Sequence, residues 1–522
     1  MTVFRAHKSL AVYLFVLSLA GMVLVYLVTF RFGPGISTDG ARYLSTAQNL
    51  VEGKGFYDFL NVPLTQFPPL YSILIAALSL LTGLDVFAAA QVLNILTFGL
   101  VIWLAGVFFY TIFPKEPIFS YIGSAVFATS LSLLVMAANI LSDLLFLGFT
   151  LAFLIVATDL LETGTRKSIL TLGLIAGLSA FQRYAGLALI LTGALLILYL
   201  HRKFIVRGIV QAGLFGILSA LPILLWVFFH NYLQTGILFG VRLPPNYPGN
   251  LQVTIEKAVH WFLPVTFTNL IPAWALTLVI LFLLFIGNRS ADWQRWTRSL
   301  ASSHFLPSLI FSFLYMGILV FNVSYSEVRW PFMDRIHIIL LPALLALIFL
   351  TIRELPPSFI RNFSPRTLKI ASVILFVLWL SFPLYNLQKY VTRAISQGET
   401  SEYNMYNIPV LRESGIGDFF NSQPTGPDQK IYSNYEAAAW FITRRPMTKM
   451  PHGETKERFV DAAEVLKKFP AWPGEDGKGY VIWIDELSFK PYVLHPDQLA
   501  ERADFQLVHW SKGGEVYQIT PK

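Results

Sequence analysis

LAVYLFVLSLAGMVLVYLVTFRFGPGISTDGARYL (residues 10–44) runs from an uncharged apolar stretch straight into a polar segment that carries Asp39. The stretch at 10–30 matches the roughly 20 residues a helix needs to cross hydrocarbon. It is too long for the apolar region of a signal peptide, and Val28-Thr29-Phe30 offers no small-residue cleavage site. Comparable runs recur at approximately 86–112, 118–137, 139–161, 168–184, 186–201, 208–233, 264–287, 304–323, 336–353 and 369–388. The expected architecture is a polytopic α-helical membrane protein with about 11 transmembrane helices. Arg183 and Gly186 mark a tight turn, so 168–201 also reads as one interrupted hairpin. An odd number of spans places the two chain ends on opposite sides of the membrane.

Composition agrees. Of 522 residues, 55% are hydrophobic and 13% charged, where a soluble globular chain carries about a quarter charged residues. A soluble enzyme and a disordered protein are both excluded. Cysteine is absent, which removes disulfide frameworks, thiolate zinc sites and a thiol nucleophile. The formal net charge of +8 suggests nucleic acid until it is divided along the chain. Residues 1–390 hold 24 Lys and Arg against 13 Asp and Glu, net +11, whereas residues 391–522 hold 15 against 18, net −3. The basic excess is therefore a topology signal, not a nucleic-acid footprint. The same cut separates a transmembrane domain, 1–390, from a C-terminal soluble α/β domain, 391–522.

Lys and Arg near span ends are retained in the cytoplasm. With the N-terminus inside, the inner segments carry fifteen of them, and the longer outer segments before the tail carry eight. The loop at 31–85, the loop at 234–263 and the tail are thus expected outside the plasma membrane. In the tail, IYSNYEAAAWFI (431–442) reads as a strand end and a helix, KERFVDAAEVLKKF (456–469) as a helix, and GYVIWID (479–485) as a buried strand.

Within the first outer loop, Asp39 follows Ser37-Thr38 and fits the N-cap of a helix through Val51, where backbone N–H groups favour a carboxylate. The loop ends in FPPLYSILIAALSLLTG (67–83), too short to span and too apolar to be solvated, hence an interfacial or re-entrant helix. DGARYLSTAQNLVEGKGF with this Pro-Pro segment resembles the first extracytoplasmic loop of the GT-C glycosyltransferases, in the bacterial branch of protein O-mannosyltransferases and aminoarabinose (lipid A) transferases. NILSDLLFLGFTLAFLIVA (139–157) is similar to that branch's acidic second outer loop, and SAFQRYAGLALILTGALL (179–196) to its Arg-bearing turn. YSNYEAAAWFITRRPMTKMP (432–451) resembles the exported tail of some members. Gly40 and Phe67 depart from the family pattern, which often has Glu and then Lys or His there, and the second change removes one phosphate contact.

The resemblance implies an inverting transfer of a sugar from a polyprenyl phosphate donor to a hydroxyl on a glycan, lipid or protein acceptor outside the membrane. A glycosidase needs two carboxyls because its leaving alcohol must be protonated. A phosphate leaves as a stable anion, so one base suffices. Asp39, with an ordinary pKa of about 3.9, is the expected base. The leaving phosphate needs a fixed cation, for which Arg is suited; the candidates are Arg335, Arg329 and Arg183, with Tyr184 beside the last. Each Arg equally fits an interfacial anchor or the partner of a nearby acid. Arg42 lies one turn beyond Asp39, as a substrate contact or its ion-pair partner, and Tyr43 adjoins it in the same motif. Asp143 is a lone carboxylate in an apolar run, read either as a cap near Ser142 or as a second acid holding the acceptor, an Arg or a divalent metal. No oxygen-rich ligand set for a metal is evident, and no other cofactor is implied.

His201, His230, His260, His304 and His337 lack paired-ligand spacing, and no Walker loop, dinucleotide fingerprint or nucleophile elbow occurs. Trp261, Trp274, Trp293, Trp296 and Trp330 cluster near span ends, as an interfacial belt does; Trp261 and Trp330 also suit stacking on a sugar. Two other functions fit the outer acids: a carrier or flippase for lipid-linked glycans, and a non-catalytic scaffold displaying the tail. A transporter would place charges near mid-membrane, and the span centres here are nearly charge-free.

Overall fold

The computed structural model describes residues 8–239, 247–262, 290–321, 334–354, 364–398, 404–422 and 429–522, apart from 454–460, 471, 474–478, 486, 488–489 and 491. Its helices are α1 (Lys8–Thr29), α2 (Thr38–Val51), α3 (Leu70–Thr82), α4 (Val86–Ile112), α5 (Ile118–Thr129), α6 (Leu131–Ala137), α7 (Asp143–Thr163), α8 (Arg166–Gln182), α9 (Leu187–Leu200) and α10 (Ile205–Leu225). After them come α11 (Tyr247–His260), α12 (Ser290–Leu300), α13 (Leu306–Phe321), α14 (Leu341–Arg353) and α15 (Pro365–Gln397).

Among the described residues, five helical segments are long and apolar enough to cross a membrane: Lys8–Thr29, Val86–Ile112, Asp143–Thr163, Ile205–Thr235 and Asp334–Arg353. α5 and α6 make a sixth if their 56° bend is counted within one span. The expected eleven is not reached on this measure. α8, α9 and α13 have 17, 14 and 16 residues, or roughly 21–26 Å of helix at 1.5 Å per residue, against hydrocarbon about 30 Å thick. The expected span at 264–287 lies outside the described residues.

By internal contacts the chain forms two compact units: Met1–Val28, Thr65–Tyr71 and Val92–Thr392, and Thr29–Leu64, Ser72–Gln91 and Arg393–Lys522. Most of the loop assigned from sequence to the membrane domain thus groups with the tail.

The first unit is a helical bundle built on small residues. A Cβ on Gly21 would collide with Ile102 and Phe98, and one on Gly99 or Gly106 with Met22 or Leu14, so side chains of α1 and α4 lie directly on each other's glycine backbone. At Gly177, between α8 and α10, the approach is to backbone: a Cβ there would lie 2.9 Å from the Ser219 carbonyl oxygen. Lipid removes the hydrophobic driving force between helices, and close contact of small residues replaces it. Phe15, Leu170, Val206, Ile217 and Phe313 stand exposed, an apolar surface unsuited to water. The predicted turn between α8 and α9 is present: Arg183 is extended and Tyr184–Gly186 form one 3-10 turn. Gly186 is pressed onto the Ser179 and Ala180 backbone, leaving no room for a side chain. α10 ends in a π-helix, Trp226–Tyr232, just after Pro222, a widening that re-aims side chains and is common at functional sites.

The second unit carries a five-stranded sheet of order β2-β1-β3-β5-β4, with β1 (Ile431–Ser433), β2 (Thr448–Lys449), β3 (Gly479–Trp483), β4 (Ala503–Ser511) and β5 (Gly514–Pro521). β1 is parallel to β2 and β3, and β5 is antiparallel to β3 and β4. The helix Glu436–Thr443 connects β1 to β2, as parallel neighbours require. β3 is buried throughout, and Val481, Ile519, Leu494 and Leu499 form the core with Trp472. The strand, helix and strand read from the sequence at 431–442 and 479–485 are therefore found, and the closing hairpin of β4 and β5 is additional.

Candidate functional site

In the second unit, Ser37 rather than Asp39 caps α2. Its backbone is extended, and its hydroxyl accepts a hydrogen bond from the Gly40 amide at 3.3 Å. The helix starts two residues earlier than the sequence suggested, and Asp39 is half-buried in the first turn. The positive end of the helix dipole still faces it there.

The approach to this turn is strapped down by residues 404–407. Asn404 Oδ1 accepts from the Ile36 amide at 3.1 Å and the Asn407 amide at 3.0 Å. Ile36 O accepts from the Met405 and Tyr406 amides at 2.9 and 3.1 Å. Asn407 Nδ2 donates to Phe32 O at 2.6 Å and Pro34 O at 2.9 Å. The Tyr406 hydroxyl meets Thr38 Oγ1 at 2.8 Å. Burial pushes the Tyr406 phenol up to about 12, and Tyr435, Glu436 and Asp39 add to the shift. It is therefore a neutral hydroxyl beside the turn.

Arg42 is paired with Asp58, Nε to Oδ2 at 3.5 Å. Burial raises the Asp58 carboxyl, and the Leu60 amide and the Arg42 charge oppose that shift. Tyr43, expected to touch substrate, is 1% exposed and belongs to the core of its unit. Its carbonyl accepts from Ser72 Oγ at 3.1 Å.

In the first unit, Asp143 opens α7 and is 1% exposed. Ser142 gives α7 no side-chain cap. Its hydroxyl instead accepts from Arg183 Nη1 at 2.9 Å, and the same nitrogen stands 2.9 Å from Asp143 Oδ2. Asp143 is thereby placed against Arg183. Gln182 Nε2 donates to Ser142 O at 3.2 Å. Tyr184 donates its hydroxyl proton to Thr65 O at 3.0 Å and accepts from Asn231 Nδ2 at 3.0 Å. Asn231 comes from the π-helix and also donates to Leu238 O at 2.8 Å. A buried carboxylate is so costly unpaired that the pair fixes the direction of Arg183.

Arg335 is half-buried in the turn Asp334–His337, which packs against α6 and α7. Asp334 accepts from Ser132 Oγ at 2.8 Å and faces Lys257 Nζ at 3.5 Å. Arg329 lies outside the described residues, as does Trp330. Among the described residues no group of three or more His, Cys, Asp and Glu is placed to hold a metal.

Asn404, Tyr406, Asn407 and Asn231 were missed by the sequence reading. Their partners sit far away in the chain, and an Asn that satisfies remote carbonyls has no local signature.

No protein-family model matches the chain, and no curated protein does. Solved structures do. ArnT from Cupriavidus metallidurans in the apo state is similar with a TM-score of 0.59 at 14% identity, over 98% of each chain. The same protein bound to undecaprenyl phosphate gives 0.56 over the same shares. The archaeal oligosaccharyltransferase AglB from Archaeoglobus fulgidus, in complex with an inhibitory peptide and a dolichol-phosphate, gives 0.56 at 12% identity, over 92% of this chain and 70% of that one. Its structural neighbours are GT-C glycosyltransferases, and this chain has their fold.

Proposed function

We propose that this protein is an inverting glycosyltransferase that moves a sugar from a polyprenyl phosphate donor to an acceptor hydroxyl on the extracytoplasmic side of the plasma membrane. The observation that carries the reading is Asp39 in the first turn of α2, in a loop anchored by buried asparagines. The likeness to ArnT bound to undecaprenyl phosphate and to AglB with dolichol-phosphate supports a lipid-linked donor.

In this reaction Asp39 takes the proton of the acceptor hydroxyl as its oxygen bonds to the anomeric carbon. The bond from that carbon to the phosphate oxygen breaks on the opposite face, and the polyprenyl phosphate departs as an anion. No acid is required at the leaving group. Arg183, aimed by Asp143 and Ser142, is the cation assigned to the phosphate, with Arg335 second. Arg329, Arg42 and Tyr184 remain substrate contacts of lower rank, and Tyr43 is assigned to the core.

The test compares purified wild-type and Asp39→Asn proteins for transfer from a panel of polyprenyl phosphate sugars. The substitution keeps shape and removes the base, so turnover should fall by about 10²- to 10⁴-fold. Equal turnover on an active donor rejects Asp39 as base. A donor carried across liposomes without any transfer rejects the enzyme.

A further inference from the structure

Next to the first turn of α2, wholly inside the second unit, is a cavity of about 220 Å3. Three permanent or near-permanent cations line it, Arg42, Lys449 and Lys490, together with His452. Among the described residues Glu436 is the one carboxylate in its wall, and Asp58 stands behind Arg42. Lys490 is held in place: its Nζ donates to Asn434 O at 2.8 Å and lies 3.9 Å from the centre of the Tyr435 ring. Asn434 is itself fixed, bonding the Ile484 amide and carbonyl at 2.9 Å each. Burial lowers the Lys490 pKa, and the Glu436 charge only partly restores it.

The rest of the wall is neither bare cation nor bare apolar surface. Four aromatic side chains, Phe59, Tyr406, Tyr435 and Tyr492, also line it, with Lys490 over the Tyr435 ring and the Tyr406 hydroxyl bonded to Thr38. Ring faces suit the apolar face of a pyranose, the hydroxyls suit its polar rim, and the fixed cations suit one anionic substituent. The volume is below the roughly 300–1,000 Å3 of sites for drug-sized ligands, which limits the occupant to about one sugar unit. Thr38 lines the cavity and Asp39 is the next residue.

We infer that this cavity binds one acidic sugar unit of the acceptor, bearing a carboxylate or a phosphate, and presents the glycan to the first turn of α2. The inference rests on the transferase reading, and it adds the acceptor's charge class.

The test measures binding without donor, so its result is independent of transfer. Full-length protein in nanodiscs of neutral lipid is titrated at low salt with glucose, glucuronate, glucose 6-phosphate, inorganic phosphate and an acidic peptide. Glucuronate, glucose 6-phosphate or both should bind at least tenfold more tightly than glucose, and which of them does so identifies the anion. Lys449→Gln/Lys490→Gln should bring the acidic sugars to within about threefold of glucose, while Lys490→Arg alone retains most of the binding. An unchanged melting temperature qualifies each variant; if the double variant misfolds, Lys449→Gln alone should still give a fivefold loss. Equal binding of glucose and the acidic sugars overturns the inference. So does binding of inorganic phosphate or the acidic peptide as tight as the sugar acids, or acid binding that is unaffected in the folded variants. If acid binding holds and no donor is ever turned over, it is the transferase reading that fails.

Discussion

At the scale of single residues, Asp143 and Arg183 form the pair with the most at stake. The acid side chain is 2% exposed and the base 20%. Removing one partner of a buried pair costs about 3–5 kcal/mol, whereas replacing both by apolar groups is often neutral. Arg183→Met is therefore expected to destabilise the protein by about that amount, and Arg183→Met/Asp143→Leu to recover most of it. The recovered double variant should still be inactive, because it lacks the cation assigned to the phosphate. Thermal unfolding in detergent together with a transfer assay reads both parts. A stable, fully active double variant would reduce the pair to a structural role. The sequence made both residues candidates because a lone acid in an apolar run and an Arg at a span end are each conspicuous. It did not say that they face each other across 40 residues.

At the scale of elements, the loop before α2 depends on a strap from the opposite end of the chain. Among the described residues Asn407 is the donor to the carbonyls of both Phe32 and Pro34, and Arg412 donates to the Asn407 carbonyl at 2.6 Å with its guanidinium 4.3 Å from the Phe32 ring centre. Asn407→Ala leaves two carbonyls short of a partner, a cost of about 1–3 kcal/mol each at most. The loss should be local: faster hydrogen exchange in residues 33–44 with α4 and α7 unchanged, and transfer reduced about tenfold or more. Unchanged exchange in that loop would show that the strap does not hold the turn. Sequence periodicity exposed most long helices, since apolar runs are local. The α2 cap was misplaced by two residues because Ser37, Thr38 and Asp39 all have capping side chains. The hairpin of β4 and β5 was overlooked even though Lys512-Gly513-Gly514 follows a strand-like run; Gly514 has a φ of 146° at the turn. Asn404 reaches Ile36 across 368 residues, a separation no local pattern spans.

At the scale of the whole molecule, the charge partition makes a claim about sidedness that the fold alone does not carry. Net +11 before residue 390 and −3 after it lead to the expectation that the turn after α9 is cytoplasmic and the tail outside. A chain without cysteine permits a direct measurement, since any single introduced thiol is the only one present. Lys203, Lys54 and Glu501 are all exposed. In intact cells a membrane-impermeant maleimide is expected to label Lys54→Cys and Glu501→Cys, and to label Lys203→Cys only after the membrane is opened. Lys54 and Glu501 belong to one compact unit, so they must report the same side. Labelling of Lys203→Cys in sealed cells with protection of the other two would put Asp39 in the cytoplasm. A donor presented outside would then never meet the base, and the proposed side of the reaction would have to be reversed.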